Sequence, residues 1–234
     1  MGINFNKAIL NQSTYKITTL QDKAKTLISN GIDIINATIG DPKDDTPKEI
    51  IDSLVNSIES QTYSQYPPYI GSDELRAAIV SWANEEYKVK FDKDKNIVSC
   101  NGTKEAIFSL PFVFDWSKDN IILIPSLSYP VYKMSADYLD IPYQLLPLSE
   151  TNQFLPNIDE ISKNTLQKTQ LVWLNSPHNP TTTIASKAYL EKWVGLAEKH
   201  NFIICSDECY NDLYSDEKPS SILEIDSNHW VCFR

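Results

Sequence analysis

Four short apolar runs, at residues 97–100, 121–124, 171–174 and 202–205, alternate with stretches of helical character at 104–114, 131–139 and 186–200. Few folds accommodate that alternation. Runs of Val, Ile and Leu without a polar residue at every second place suit strands buried on both faces. Strand followed by helix, repeated, builds a largely parallel sheet with helices packed over it. A fifth run at 229–233 continues the series. Ahead of it the chain is more polar, with helices expected at 15–29, at 46–59 and from Ser72 onward. Thr46-Pro47-Lys48-Glu49 opens one of them as a capping box with proline at the first helical position. Leu75, Ala78, Ile79 and Trp82 are expected to form the apolar face of the next. Residues 1–45 read as an arm with part of a small domain, and 46–234 as one large α/β domain.

Composition narrows the possible functions. A net charge of −10 argues against a nucleic-acid partner or an anionic membrane surface, both of which need clustered Lys and Arg. No apolar run approaches the roughly 20 residues that span a bilayer, and the first twenty residues lack the apolar core of a signal peptide. Cys100, Cys205, Cys209 and Cys232 sit in or beside apolar runs without metal-type spacing, so no metal site is expected. They read as reduced core thiols of a cytoplasmic protein. Arg76 and Arg234 are the only arginines, which leaves little of the guanidinium chemistry that usually grips carboxylates and phosphates.

In open α/β sheets ligands bind beyond the carboxyl ends of the strands, so the segment after each apolar run is the place to look. Asn101-Gly102-Thr103-Lys104-Glu105-Ala106 passes straight into a helix, and a glycine followed by N–H donors at a helix start suits a phosphate. A tight turn capped by Thr103 would read the same way. Tyr129, before Pro130, could face a flat heteroaromatic ligand or simply pack its loop. Asn175-Ser176-Pro177-His178-Asn179-Pro180-Thr181 is a rigid loop able to aim the Asn179 amide into a pocket; an ordinary Asx-Pro turn is the alternative. His178 reads as a loop side chain rather than a base. Asp207, in Ser206-Asp207-Glu208-Cys209-Tyr210, follows a buried run, where a carboxylate needs a partner such as a protonated ring nitrogen.

Together these segments resemble the large domain of the class I and II aminotransferases, pyridoxal-phosphate enzymes of fold type I, from about Ile39 to Arg234. The resemblance implies a three-layer sandwich with a mainly parallel mixed sheet, incomplete at its carboxyl end. It implies pyridoxal 5′-phosphate as cofactor, with Gly102, Thr103 and Lys104 around its phosphate and Tyr129 stacked on its ring. It places Asn179 and Tyr210 on the ring's phenolic oxygen and Asp207 on the ring nitrogen. Ile39 and Gly40, in Ile39-Gly40-Asp41-Pro42, would meet the substrate carboxylate together with Asn179. Tyr66, five residues before Gly71, would reach the phosphate of a neighbouring subunit, which implies a homodimer.

Two departures from the family pattern stand out. Thr182 occupies a place where the family has glycine, which confines the turn to negative φ or asks for a rearrangement. The family's Schiff-base lysine, in a Ser-x-Ser-Lys motif, is expected beyond Arg234, so no catalytic residue is assigned. Arg234 is no substitute, since guanidinium stays protonated. Lys104, Lys133 and Lys218 read as solvated charges. The expected parent activity is amino-group exchange between an amino acid and a 2-oxo acid, and the Tyr66–Arg76 stretch looks most like the N-succinyl-diaminopimelate branch. This chain alone is expected to be inactive. A carbon–sulfur β-lyase of the same fold and a non-catalytic cofactor-binding module are the alternatives.

Overall fold

A computed structural model describes residues 3, 5, 7–10, 16–37, 40, 44–60 and 66–234. The chain divides into two units, Met1–Pro67 and Pro68–Arg234. In the first, α1 (Lys7–Leu10), α2 (Lys16–Ser29) and α3 (Lys48–Ser60) are helical. The last of these begins where the Thr46-Pro47 signal puts it, with the Pro47 carbonyl accepting from Ile50 and Ile51 N–H. Ile39 lies outside the described residues.

The second unit opens with α4 (Asp73–Tyr87), α5 (Thr103–Ser109), β1 (Ile121–Pro125), α6 (Pro130–Leu139) and β2 (Tyr143–Leu146). It continues through α7 (Lys163–Lys168), β3 (Thr169–Asn175), α8 (Lys187–His200), β4 (Ile203–Asp207) and β5 (Trp230–Phe233). The strands form one sheet in the order β2-β1-β3-β4-β5, and every pairing is parallel. Side chains alternate across the pleat, which divides the core in two. Leu123, Val172, Leu174 and Ile204 pack with Leu190, Trp193, Val194 and Ala197 of α8. Ile122, Ile124, Leu171, Trp173 and Cys205 pack on the other side with Ile107 of α5 and Val131, Tyr132 and Ala136 of α6. Helix, sheet and helix make the three layers expected from the sequence.

Four local expectations need correction. The run at 97–100 is not a strand: Val98 is 73% exposed, and the Ser99 N–H donates to the Ile70 carbonyl at 3.2 Å rather than to a ladder. Strand β2 was not foreseen, because an edge strand with Gln144 and Leu145 exposed has no continuous apolar run. On α4 the buried residues are Arg76, Ala83 and Tyr87, while Leu75 and Trp82 are exposed. Arg76 is taken inward because its guanidinium satisfies the Gly71 and Lys93 carbonyls and pairs with Asp73 and Asp94. Finally, Cys205 is a core thiol, but Cys100 and Cys209 are exposed.

Candidate active site at the carboxyl edge of the sheet

The strand register brings the chemistry together. Asn175, the last residue of β3, lies beside Asp207, the last of β4. The Asn175 amide donates from Nδ2 to the Asp207 carbonyl at 2.8 Å, and its Oδ1 accepts from the Asn179 N–H at 2.7 Å. One buried side chain thus fastens the 176–183 loop to the neighbouring strand. Both X-Pro bonds of this loop, Ser176–Pro177 and Asn179–Pro180, are cis.

His178 is buried beneath the loop and acts as a strut. Its Nε2 donates to the Leu127 carbonyl at 3.0 Å, which leaves Nδ1 to accept from the Thr181 hydroxyl at 2.7 Å. Burial pushes its pKa below the ordinary value, so the neutral form that makes both bonds is favoured. The strut joins the loop carrying Asn179 to the one carrying Tyr129.

Thr182 takes a positive φ of 63°, so the turn has not moved to negative φ. A tight pair of bonds holds it there, Thr182 N–H to the His178 carbonyl (2.7 Å) and His178 N–H to the Thr183 carbonyl (2.8 Å). A β-branched residue in this region costs roughly 1–2 kcal/mol. Glycine returns about 0.5–1 kcal/mol of that through unfolded-state entropy. Because Thr182 is exposed and buries little, T182G is expected to stabilise the fold by about 0.5–1 kcal/mol, raising the melting temperature by about 1–4 °C. A T182G melt at or below that of the wild type would contradict the strain.

Asp207 is 5% exposed. By the pleat it shares the face of Cys205, which is the side of α5 and α6. Its Oδ2 accepts from the Tyr132 hydroxyl and its Oδ1 from the Cys209 N–H at 3.3 Å. Among the described residues no ion pair reaches it. Tyr132 lies flat on Trp173, with ring centroids 4.6 Å apart and planes at 4°, and Tyr129 meets Tyr132 edge-on at 5.9 Å. Burial first, and the Asp207 charge second, hold the Tyr132 phenol well above its ordinary pKa, so it remains a hydrogen-bond donor. The Asn179 Nδ2 is 3.4 Å from the Tyr210 hydroxyl, so these two residues do converge.

The helix start lies alongside. Gly102 caps α5 at φ 81°, and Thr103 Oγ1 accepts from the Cys209 thiol at 3.1 Å, which ties the head of α5 to the end of β4. Although the residue as a whole is exposed, desolvation of its thiol, reinforced by the Asp207 charge, pushes Cys209 up to about 12. First-turn N–H groups have no intrahelical acceptor and point outward. Glu105 Oε2 already takes the Asn101 N–H at 2.7 Å, leaving those of Gly102, Thr103 and Lys104 for an anion. Lys104 is exposed. Lys133 pairs with Asp137, and Lys218 with Glu86, so neither amine belongs to the cluster. Gly40 and Tyr66 lie in the first unit, where Tyr66 is fully exposed. A groove of about 800 Å³ lined by Trp82, Phe91, Ile97 and Trp230 touches none of the cluster's residues.

Residues 32–233 match the profile of the family described as Aminotransferase class I and II. The chain belongs to this family. Among curated relatives, it is 34% identical over 212 residues to the LL-diaminopimelate aminotransferase of Aquifex aeolicus, covering 90% of this chain and 54% of that protein. The enzyme of the same name from Maridesulfovibrio salexigens is 38% identical over 198 residues, covering 84% and 51%. Among solved structures, an aspartate aminotransferase from Thermotoga maritima superposes with a TM-score of 0.87 at 29% identity, covering 97% of this chain and 60% of that one. The chain spans about half the length of the curated relatives it matches.

For a class I and II aminotransferase the implied cofactor is pyridoxal 5′-phosphate, and the observed groups fit it. A carboxylate buried among neutral donors has room for one more, and a protonated ring nitrogen supplies both the proton and the missing charge. The Tyr132 that bonds this carboxylate meets Tyr129 edge-on, and Cys209, whose N–H bonds it, ties it to Thr103 at the start of α5. Asn175 and Tyr132 were not singled out from the sequence. The signal for Tyr132 was its place three residues after Tyr129 at a helix start, which puts both rings on one side.

Proposed function

We propose that this chain is the cofactor-binding part of an aminotransferase that exchanges an amino group between an amino acid and a 2-oxo acid. The names of its relatives favour LL-diaminopimelate itself, rather than an N-succinyl derivative, as the amino acid. One observation supports the reading above the others: Asp207 is buried at a strand end, forms no ion pair among the described residues, and accepts from Tyr132, whose ring in turn meets Tyr129.

In this reading Asp207 accepts the ring-nitrogen proton and holds it in place. Tyr132 fixes the carboxylate from the far side and keeps it from rotating. Tyr129 covers one ring face, and Asn179 and Tyr210 donate to the phenolic oxygen. The first N–H groups of α5, at Gly102, Thr103 and Lys104, bind the phosphate. When bound, pyridoxal phosphate supplies an electron sink for the pair released at the amino acid's Cα. Gly40 and Ile39 meet the substrate carboxylate. Tyr66 serves the phosphate of a second copy, which makes the assembled enzyme a homodimer; its full exposure suits that role.

We further propose that this chain binds the cofactor without a covalent bond and does not transaminate, because the lysines weighed for that role stand in surface ion pairs or in solvent. Titration of the chain with pyridoxal phosphate, followed by borohydride reduction and denaturation, tests both parts. The expected result is a saturable absorbance change with no cofactor retained on the denatured chain. Absence of saturable binding would overturn the cofactor site, and retained cofactor at one lysine would overturn the non-covalent reading.

A further inference from the structure

We propose that Glu208, which no role above uses, is a positioning residue that sets the geometry of Asp207 and Tyr210; this rests on the cofactor reading. The pleat sends consecutive residues to opposite faces, so as Asp207 turns toward the ring site, Glu208 turns to the α8 side with Ser206. There it is 2% exposed. Its carboxylate is fully used. Oε1 accepts from Ser206 Oγ at 2.9 Å and from the Ile222 N–H at 2.7 Å, and Oε2 accepts from Ser221 Oγ at 2.5 Å and from Arg234 Nη2 at 3.2 Å.

Those four donors come from three places. Ser206 is on β4 itself, Ser221 and Ile222 lie at the far end of the loop that follows β4, and Arg234 follows the last residue of β5. Glu208 therefore closes the base of the 209–220 loop, which carries Tyr210, and staples it to both strands. Its backbone adds to the staple, with N–H to the Phe233 carbonyl at 3.0 Å and carbonyl from the Asn211 N–H at 3.0 Å. Arg234 extends the staple outward. It bonds to Tyr87 and Asp212 and lies over the rings of Trp82 and Tyr87, which anchors the unit to α4. One of the chain's two arginines is thus spent on holding Glu208. Asp207 is one residue before this anchor and Tyr210 two after it, so the anchor restrains the backbone that carries both.

E208Q keeps the shape but breaks the pattern. Whichever way the amide turns, its NH2 meets two donors, and either the Ile222 N–H or the Arg234 guanidinium cannot turn away. The readout has to report Asp207 and not merely looseness. The chain is titrated with pyridoxal phosphate and with its analogue bearing C–H in place of the ring nitrogen, and the ratio of the two affinities is compared between variants. A contact through Asp207 should give the wild type a preference of about tenfold or more for pyridoxal phosphate. Removing a partner that orients a ligating group typically costs about 10- to 100-fold at metal sites, and E208Q is expected to bring the preference to within about threefold.

S221A removes one of the four donors and should give an intermediate preference; it decides the matter if E208Q does not fold. An unchanged preference in the folded variants, with both affinities equal to or equally weaker than those of the wild type, would overturn the positioning role and leave the cofactor reading intact. Absence of any preference in the wild type would overturn the placement of Asp207 on the ring nitrogen, and this inference with it.

Discussion

Replacing Asp207 by asparagine is expected to weaken pyridoxal phosphate binding by about 100-fold while leaving the cofactor-free chain as stable as before, or more stable. A hydrogen bond between charged groups is worth about 1.5–3 kcal/mol, and each 1.4 kcal/mol is tenfold in affinity. Asparagine has nearly the same volume, and its amide oxygen can still accept from Tyr132, the partner of Oδ2. The remaining NH2 then faces the ring nitrogen donor to donor. Without cofactor the balance reverses. Asp207 is buried with two neutral donors, one at 3.3 Å, and burying a charge so thinly matched is costly. The carboxylate therefore works against the empty fold and in favour of the bound one, as functional groups often do. Cofactor titration and thermal unfolding of D207N measure the two effects separately. Affinity within threefold of the wild type would show that Asp207 does not meet the ring.

The largest expected loss of stability lies at Gly71. It takes φ 93°, a conformation that side chains resist, and a Cβ built there would stand 2.1 Å from Ser99 Oγ and 2.7 Å from Ser99 Cβ. The hydroxyl can rotate away, but Ser99 Cβ cannot. The surrounding turn has little freedom to retreat. The Gly71 N–H donates to the Pro68 carbonyl, the Ile70 carbonyl accepts from the Ser99 N–H, and the Gly71 carbonyl accepts from Arg76 Nε. Backbone strain of about 1–2 kcal/mol and overpacking of about 1–3 kcal/mol give G71A a cost of roughly 2–5 kcal/mol. For a chain of this size that lowers the melting temperature by roughly 4–20 °C. Adding S99G to G71A should recover the steric share and leave the backbone share. G71A within 0.5 kcal/mol of the wild type, a change as small as most surface substitutions make, would show that the turn yields easily.

The parallel sheet could be read from the sequence where strands are buried on both faces. Ile121–Pro125, Thr169–Asn175 and Ile203–Asp207 are such strands, and an unbroken apolar run has no other comfortable home. The signal failed where burial is one-sided or borrowed. Tyr143–Leu146 is an edge strand with polar and exposed positions. The apolar run at 97–100 has no ladder partner among the described residues, and the Ser99 N–H bonds instead to a turn at Ile70. On α4 the periodicity of apolar residues pointed to the wrong face. A guanidinium that meets two carbonyls and two carboxylates can be buried as readily as leucine, and hydropathy does not register that.

At the candidate site, the local settings read from the sequence match the structure: Gly102 at a helix start, Asn179 in its proline-bound loop, Asp207 at the end of a buried strand. What pairwise geometry decides was not. Nothing in one dimension says that Tyr132 bonds Asp207 across 75 residues, or that Asn175 clasps the neighbouring strand. The same holds for Glu208, whose position beside Asp207 is plain in the sequence but whose partners at 221, 222 and 234 only the fold reveals.

The claim on which the account rests is that the carboxyl edge of this sheet binds pyridoxal phosphate through Asp207. A crystal structure of the chain grown with the cofactor tests it most directly. The predicted result is the ring nitrogen within hydrogen-bonding distance of the Asp207 carboxylate, the ring against Tyr129, and the phosphate on the N–H groups of Gly102 and Thr103. Cofactor bound elsewhere, or bound here with its ring nitrogen turned away from Asp207, would contradict it.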